Sequence, residues 1–379
     1  MDFQRLGERF GISGRLAAWQ EICAGNINRT YEVSFAPPEG GSCDKYIFQR
    51  INTYVFKNPE DVMHNILNVT EHIKKKLSEE TGGYERRVLS FLTAEDGHPY
   101  LYTNDRAFWR VYRFVDDARA YDMIEKPVHF YEAGRAFGEF QGWLSDFPVG
   151  ILVETIPHFH DTVRRMADFR RAVRENQAGR RDEAEDEIAF ILDRENEAGT
   201  IVELLASGDI PYRVTHNDTK INNILFDAAT DKALCVIDLD TVMPGTSVYD
   251  FGDAVRSGAS TAREDEEDLS KVHFDLGMFE RFTKGFLEET RGLLTPEEIR
   301  LLPLGAKIIT LELASRFLAD YLDGDVYFKI HRPDHNLVRA RNQIRLVQEM
   351  EETFPDMEEI VSRYGGVPVR CAAGEGPES

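Results

Sequence analysis

Asp218 and Asn223 stand five positions apart in the run His216-Asn217-Asp218-Thr219-Lys220-Ile221-Asn222-Asn223, and Asp238 follows fifteen positions later. A carboxylate, an amide oxygen and a second carboxylate at those intervals are the parts of a phosphoryl-transfer centre. Such chemistry asks little covalent help of a protein; it needs a positioned hydroxyl and positive charge across the phosphates. Asp218 can take the acceptor's proton. Asn223 and Asp238, with Asp240 two positions on, supply hard oxygens that suit Mg²⁺. Lys220 can lie against the transferred phosphate as a point charge. Asp and Asn are common turn residues, so the weight rests on their conjunction with His216, a following hairpin and Asp238.

That hairpin is legible. Two short apolar runs, residues 224–226 and 234–237, flank the turn-like stretch 227–232, the pattern of paired strands that would deliver Asp238. The spacing resembles the catalytic loop of kinases: a loop Asp, an Asn five residues on, then a metal-binding Asp after a β-hairpin. With His-Asn-Asp at 216–218 and Ile-Asp-Leu-Asp at 237–240, it resembles the aminoglycoside phosphotransferase and choline kinase superfamily. The resemblance implies an α+β, bilobal, protein-kinase-like fold, with a small antiparallel sheet in the N-lobe and a larger, mainly helical C-lobe. ATP and Mg²⁺ are the cofactors it implies.

The elements upstream fit a nucleotide-binding N-lobe over residues 1–115. Phe3, Leu6 and Phe10 mark a helical lead-in, with a second short segment through Trp19. Within residues 22–33, two β-like runs flank a polar turn, a strand-loop-strand suited to folding over phosphates with backbone N–H groups inward. Gly25, Asn26, Asn28 and Arg29 are its candidate nucleotide contacts. Residues 45–51 read as the next strand. Kinases place a lysine there to grip the α- and β-phosphates; here the matching position holds Gln49, with Arg50 beside it on the opposite face of an ideal strand. Asn58-Pro59-Glu60-Asp61 opens a helix, and Val62, Ile66, Val69, Ile73 and Leu77 form its buried stripe. Residues 88–92 and 108–115 are expected to complete the sheet. Adenine is expected near Phe114 and Val115, by analogy with kinase architecture.

Residues 116–365 read as the catalytic and acceptor-binding C-lobe. Phe130, Phe137, Phe140 and Leu144 mark one helix face, on which Gly134 and Gly138 would allow close packing. His158 and His160 invite a metal, but no cysteine or third histidine accompanies them. The mixed-sign run 170–187 reads as a solvated helical face. Asp250 is expected to brace the catalytic loop, and Asp253 with Arg256 to form an i, i+3 surface or semi-buried pair. Thr295-Pro296-Glu297-Glu298 is a capping box. Residues 311–328 read either as a helix end closed by Gly324 over core aromatics, or as a sugar-binding set of flat rings with Arg and Asp for hydroxyls. Residues 366–379 are expected to be a disordered tail.

Composition sets the limits. Across 379 residues, 42% are hydrophobic and 30% charged, as in a soluble globular protein. Lys and Arg number 45 against 67 Asp and Glu, a net charge of −22, which argues against nucleic acid or anionic lipid as partner. The four cysteines, Cys23, Cys43, Cys235 and Cys371, show no metal-ligand spacing, and Cys235 reads as a reduced core thiol. The first residues lack the basic-then-apolar pattern of a signal peptide, so none is expected, and no apolar run approaches about 18 residues. A cytoplasmic setting is expected; whether the chain is a monomer or homodimer is left open.

The wording narrows the family. The catalytic-loop run, residues 236–245 (VIDLDTVMPG) and 249–253 (YDFGD), with 25–28, 48–52, 154–157 and the stretch from Arg316-Phe317 to Tyr327-Phe328, is similar to N-acetylhexosamine 1-kinases over roughly residues 20–350. Those enzymes move the γ-phosphate of ATP to the anomeric hydroxyl of N-acetylglucosamine or N-acetylgalactosamine. The resemblance implies Asp218 as base, Asn223 and Asp238 as Mg²⁺ ligands, and His216, Arg316 and Tyr327 on the sugar side. Kinases of homoserine, choline-like amino alcohols or aminoglycosides share the loop, as would a nucleotide-binding pseudokinase.

Overall fold

The computed structural model describes residues 2–22, 27–81 and 84–369. Two compact units emerge: Met1–Asp122 with Asp146–Pro157 and Asn222–Pro244, and Met123–Ser145 with His158–Ile221 and Gly245–Ser379.

The first unit is built on an antiparallel sheet of order β1-β2-β3-β5-β4, from β1 (Arg15–Ile22), β2 (Arg29–Ala36), β3 (Asp44–Ile51), β4 (Leu101–Tyr102) and β5 (Phe108–Arg113). Alternation sets its faces. Tyr31, Val33, Phe35, Tyr46, Phe48, Trp109 and Val111 form one cluster with Phe3, Leu6 and Phe10, so the helix α1 (Phe3–Arg9) covers that side. The second short segment through Trp19 is strand β1. The helix α2 (Pro59–Thr81) buries the stripe Val62, Ile66, Val69, Ile73 and Leu77 as its spacing predicts. Residues 88–92 form no full strand. They run beside β5 through a single bridge, Phe91 to Tyr112, and the bonds Leu92 N–H to Val111 O and Arg113 N–H to Ser90 O; β4 takes the regular edge pairing instead.

The same unit holds the hairpin of Ile224–Asp227 and Ala233–Val236, paired with Ile224 opposite Val236 and Leu225 opposite Cys235. Cys235 is buried, and burial pushes its thiol up to about 12. It is a core residue.

The second unit is mainly helical. In α3 (Pro127–Trp143), Gly134 and Gly138 meet the helix Leu276–Thr290 backbone to backbone: a Cβ on Gly134 would fall 2.3 Å from Phe282 O. At its centre runs the helix Pro296–Asp323, opened by the Thr295–Glu298 capping box and closed by Gly324 at φ 95°. Met166, Phe169, Leu311, Phe317, Leu318, Tyr321 and Val347 pack as one core around it. The mixed-charge run is not one solvated face. The helix α4 (Thr162–Glu175) stops at left-handed Asn176, and Arg171 and Arg180 pair with Asp323 and Asp325. No helix among the described residues is long and apolar enough to cross a membrane; residues 370–379 lie outside the described residues.

Gly134→Ala is expected to destabilise the second unit by about 1–3 kcal/mol, because backbone, not a flexible side chain, stands in the way. Gly142→Ala, whose Cβ would lie 3.5 Å from Leu293 Cδ1, serves as control and should hold or gain. Urea unfolding of both checks it, and equal midpoints would refute the close-packing account.

Candidate active site

In the second unit, the loop after the strand Arg213–Thr215 is held by its backbone. Asp250, in the first turn of the helix Ser247–Gly258, accepts the N–H of His216 at 2.9 Å on one oxygen and that of Asn217 at 2.8 Å on the other. Gln141 adds a third donor at 2.8 Å and is itself fixed by Ser247 Oγ at 2.7 Å. Burial pushes the Asp250 carboxyl above its usual range, against the pull of the His216 ring and the two N–H groups. One turn on, Asp253 accepts the N–H of Thr219 at 2.9 Å. Burial would raise Asp253, but Arg256 and Lys220 hold it below its ordinary value. Asp253 and Arg256 are thus a buried pair, not a surface one, because the loop backbone covers them.

Between these anchors Asn217 takes φ 64° and the chain presents Asp218, which Lys220 Nζ meets at 2.7 Å. That carboxylate raises the Lys220 pKa. His216, expected against the acceptor, lies elsewhere: its ring is wholly buried against Phe137 and Phe140. Its Nδ1 accepts the N–H of Asp218 at 3.3 Å, so it supports the loop from behind.

In the same unit, Glu312, 2% exposed, gathers His160 at 2.9 Å, Arg316 at 3.5 Å and Arg165 at 3.7 Å. His160 Nε2 reaches Asn217 O at 3.4 Å, tying this cluster to the residue before Asp218. The Arg316 guanidinium lies within 6 Å of the Phe159, Tyr327 and Phe328 rings, at 5.8, 5.9 and 5.6 Å. Tyr327 is 69% exposed. Asp320, one of the acids in that segment, is occupied: it takes the backbone N–H groups of Val326, Tyr327 and Phe328. His158 pairs with Asp161, and among the described residues no group of three or more His, Cys, Asp or Glu is arranged to hold a metal.

The first unit carries the remaining candidates. Ile237 N–H donates to Asn223 O at 2.9 Å, so the hairpin ladder sets Asn223 beside the residue that precedes Asp238. Asp238 takes the left-handed conformation, φ 57° and ψ 56°, and one helical turn, Leu239–Thr241, follows. Asp240 is 4% exposed; Asn28 Nδ2 donates to its Oδ2 at 2.5 Å and Arg110 Nη1 lies 2.5 Å from its Oδ1. That second approach lacks the angle of a hydrogen bond, leaving Oδ1 a buried oxygen without a donor. Asp240, two residues after Asp238, thus keeps a buried carboxylate oxygen without a well-angled donor, and carboxylate and amide oxygens such as those of Asp238, Asp240 and Asn223 are of the kind that suits Mg²⁺.

Gln49 and Arg110 are register partners on neighbouring strands. Arg110 Nε donates to Gln49 Oε1 at 2.9 Å, and Gln49 Nε2 donates to Thr30 Oγ1 at 3.0 Å. Arg50 faces the other side, 3.5 Å from Asp105, along a groove of about 870 Å³ lined by Arg5, Arg9 and Trp109. Arg29 forms a two-bond pair with Glu21 on β1. Lys45 Nζ sits 5.0 Å over the Phe114 ring, and Val115 is buried. Gly25 and Asn26 lie outside the described residues. Arg110 escaped the sequence reading; its only signal was a cation inside the apolar run 108–115, and its partners required the strand register.

A model of the phosphotransferase enzyme family, APH, matches residues 18–284, and the chain belongs to that family. Its fold is also that of the microcompartment-associated aminopropanol kinase, at 15% identity and TM-score 0.56, covering 94% of this chain and 98% of that one. The aminoglycoside phosphotransferase of Alicyclobacillus acidocaldarius subsp. acidocaldarius DSM 446 matches at 14% and 0.51, covering 91% and 92%. Spectinomycin phosphotransferase, solved with ADP and spectinomycin, matches at 14% and 0.50, covering 95% and 96%. The protein is a small-molecule kinase of this family, with the α+β protein-kinase-like fold.

The His160–Glu312 pair makes stability depend on pH. Burial alone would lower His160, but Glu312 holds it above its ordinary 6.5; its contribution is complete below 6.5 and is lost as pH rises through the raised folded value. Burial would raise Glu312, yet His160 and the two arginines keep it below 4.5, so its own contribution is lost only as pH falls through that depressed value. Thermal melts between pH 6 and 9 should fall more steeply for the wild type than for His160→Gln. Parallel curves would remove this pair from the account.

Proposed function

We propose that the protein transfers the γ-phosphate of ATP, with Mg²⁺, to the anomeric 1-hydroxyl of an N-acetylhexosamine, N-acetylglucosamine or N-acetylgalactosamine, giving the sugar 1-phosphate. The observation that carries the chemistry is Asp218 presented on a backbone-anchored loop with Lys220 at 2.7 Å. Asp218 accepts the proton of the acceptor hydroxyl, whose oxygen bonds to the γ-phosphorus. The bond from that phosphorus to the β–γ bridging oxygen breaks, and ADP leaves. An anomeric hydroxyl is more acidic than an ordinary alcohol, and a loose transition state asks little of a base, so Asp218 acts chiefly by orienting. Lys220 carries positive charge to the transferred group. Asn223, Asp238 and Asp240 would hold Mg²⁺, which neutralises phosphate charge when bound.

The acceptor side supports a neutral, hydroxyl-rich substrate. Arg316 among three aromatic rings offers N–H donors and flat apolar faces, which suit sugar oxygens and C–H surfaces. Arg165 and Arg316 put two guanidiniums beside Glu312, an environment that disfavours the ammonium groups of amino alcohols and aminoglycosides.

Asp218→Asn is expected to keep nucleotide affinity and lose roughly 10²–10⁴-fold in kcat, measured by ADP release with Mg²⁺. The acceptor panel is N-acetylglucosamine, N-acetylgalactosamine, glucose, choline, homoserine and kanamycin, with phosphorus NMR to locate the product phosphate. Turnover confined to an amino alcohol or aminoglycoside would overturn the sugar assignment. Near-full rate in Asp218→Asn would overturn the base.

A further inference from the structure

Kinases of this architecture grip the α- and β-phosphates with a β3 lysine paired to a helix glutamate. Neither partner is in its usual place here. The β3 position is Gln49, a neutral amide whose donor is spent on Thr30 Oγ1. On α2, the residue that meets the sheet's polar patch is Met63, whose sulfur lies 3.9 Å from Arg110 Nη1. Asn65, two positions on, spends its amide on the carbonyls of Val153 and Val242.

The missing charge reappears one strand over. Arg110 on β5 stands directly opposite Gln49 in the antiparallel register, so the two side chains share a face of the sheet. Gln49 Oε1 takes Arg110 Nε at 2.9 Å and steers the guanidinium. Its Nη1 meets Asp240, the acid that stands in for the helix glutamate, in the turn immediately after Asp238. Asp240 in turn receives Asn28, from the strand-loop-strand expected over the phosphates.

We propose that Arg110, oriented by Gln49 and Asp240, is the cation with which the N-terminal unit holds the nucleotide's α- and β-phosphates. This rests on the ATP reading above. Two loose ends point to a further, oxygen-bearing group. Arg110 Nη2 enters no hydrogen bond or ion pair among the described residues, and it is not one of their sealed polar atoms, so it keeps contact with solvent at the edge of a side chain that is otherwise 2% exposed. Asp240 Oδ1 is buried, and its contact with Arg110 Nη1 at 2.5 Å lies outside hydrogen-bond geometry. A guanidinium fixed through Nε and Nη1, with Nη2 left at the solvent edge, has N–H donors ready for an incoming oxygen. A phosphate oxygen on Nη2 would complete the guanidinium, and a cation held with that phosphate would complete Oδ1. Arg50, the other cation of β3, is turned to the opposite face and engaged by Asp105.

The alternative is a purely structural ion pair, and the two differ in what they do to ligands of different length. Isothermal titration with ADP and with adenosine, on the wild type and Arg110→Met, separates them. The expected result is unchanged adenosine affinity and a loss of ADP affinity of roughly 10- to 150-fold, the worth of one charge-assisted bond, with Arg110→Lys recovering part of it. Equal loss for both ligands, or none, in a folded variant overturns the proposal. Arg110→Met leaves Asp240 without its cation and can fail to fold. The wild-type protein then carries the test: the labelled guanidinium nitrogen signal of Arg110, assigned with Arg110→Lys, should move with ADP and stay still with adenosine. No response to ADP that binds overturns the inference alone. A wild type that binds neither ligand takes the nucleotide reading down with it.

Discussion

The carboxylate of Asp250 is the point on which the catalytic loop depends. Its two oxygens take the N–H groups of consecutive residues, His216 and Asn217, while its own carbonyl receives Thr219 Oγ1 at 2.5 Å. Consecutive N–H groups converge on one anion only where the backbone turns sharply, and Asn217 at φ 64° makes that turn. Such a conformation costs a non-glycine residue free energy and persists where the surroundings over-determine it. Charge-assisted bonds to a buried carboxylate, each contributing about 1.5–3 kcal/mol, are enough to do so. Asp218 is therefore carried on a firmly held backbone, which is what the positioning role proposed for it would require.

The helix Ser247–Gly258 multiplies the effect. Asp250 and Asp253 fall one turn apart on it, so a single rigid element grips the loop at 216–217 and again at 219. The charge of Asp253 is balanced by Arg256, itself paired with Glu264. Gln141 from α3 then links the Asp250 carboxylate to the Val214 carbonyl, so the strand before the loop is held by the same anion. None of these contacts touches Asp218, yet all of them determine where it points.

Much of this was legible in the sequence because it is local. The hairpin, the left-hand end of the capping box, the α2 stripe and the close-packed glycines each follow from spacing within one element, and each is present. Asp250 could be read as a brace because it comes too late to be the metal-binding Asp. What escaped depends on pairings between elements distant in sequence. Arg110 gains its meaning only from the β3–β5 register and from Asp240, 130 positions away by the numbering. His216 looked available because its motif neighbours are functional, but the aromatic rings of α3, which no spacing reveals, enclose it. The partners of Asp320 likewise come from the chain beyond Gly324, which folds back onto it.

That last contact shows how a segment's path can be fixed independently of its side chains. Asp320 holds residues 326–328 by three backbone N–H groups, and Asn336 secures the same carboxylate from the next helix. Because the grip is on the backbone, the segment's path does not depend on which side chains it carries. Val326 and Tyr327 are 79% and 69% exposed, so replacing them disturbs no core. The loop at 216–219 obeys the same rule, with carboxylates on main-chain donors and the Asp218 side chain left outside their grip. Identities of 14–15% to structures of the same fold follow naturally. A few buried acids on main-chain donors hold these segments, while the exposed side chains they carry are free to change.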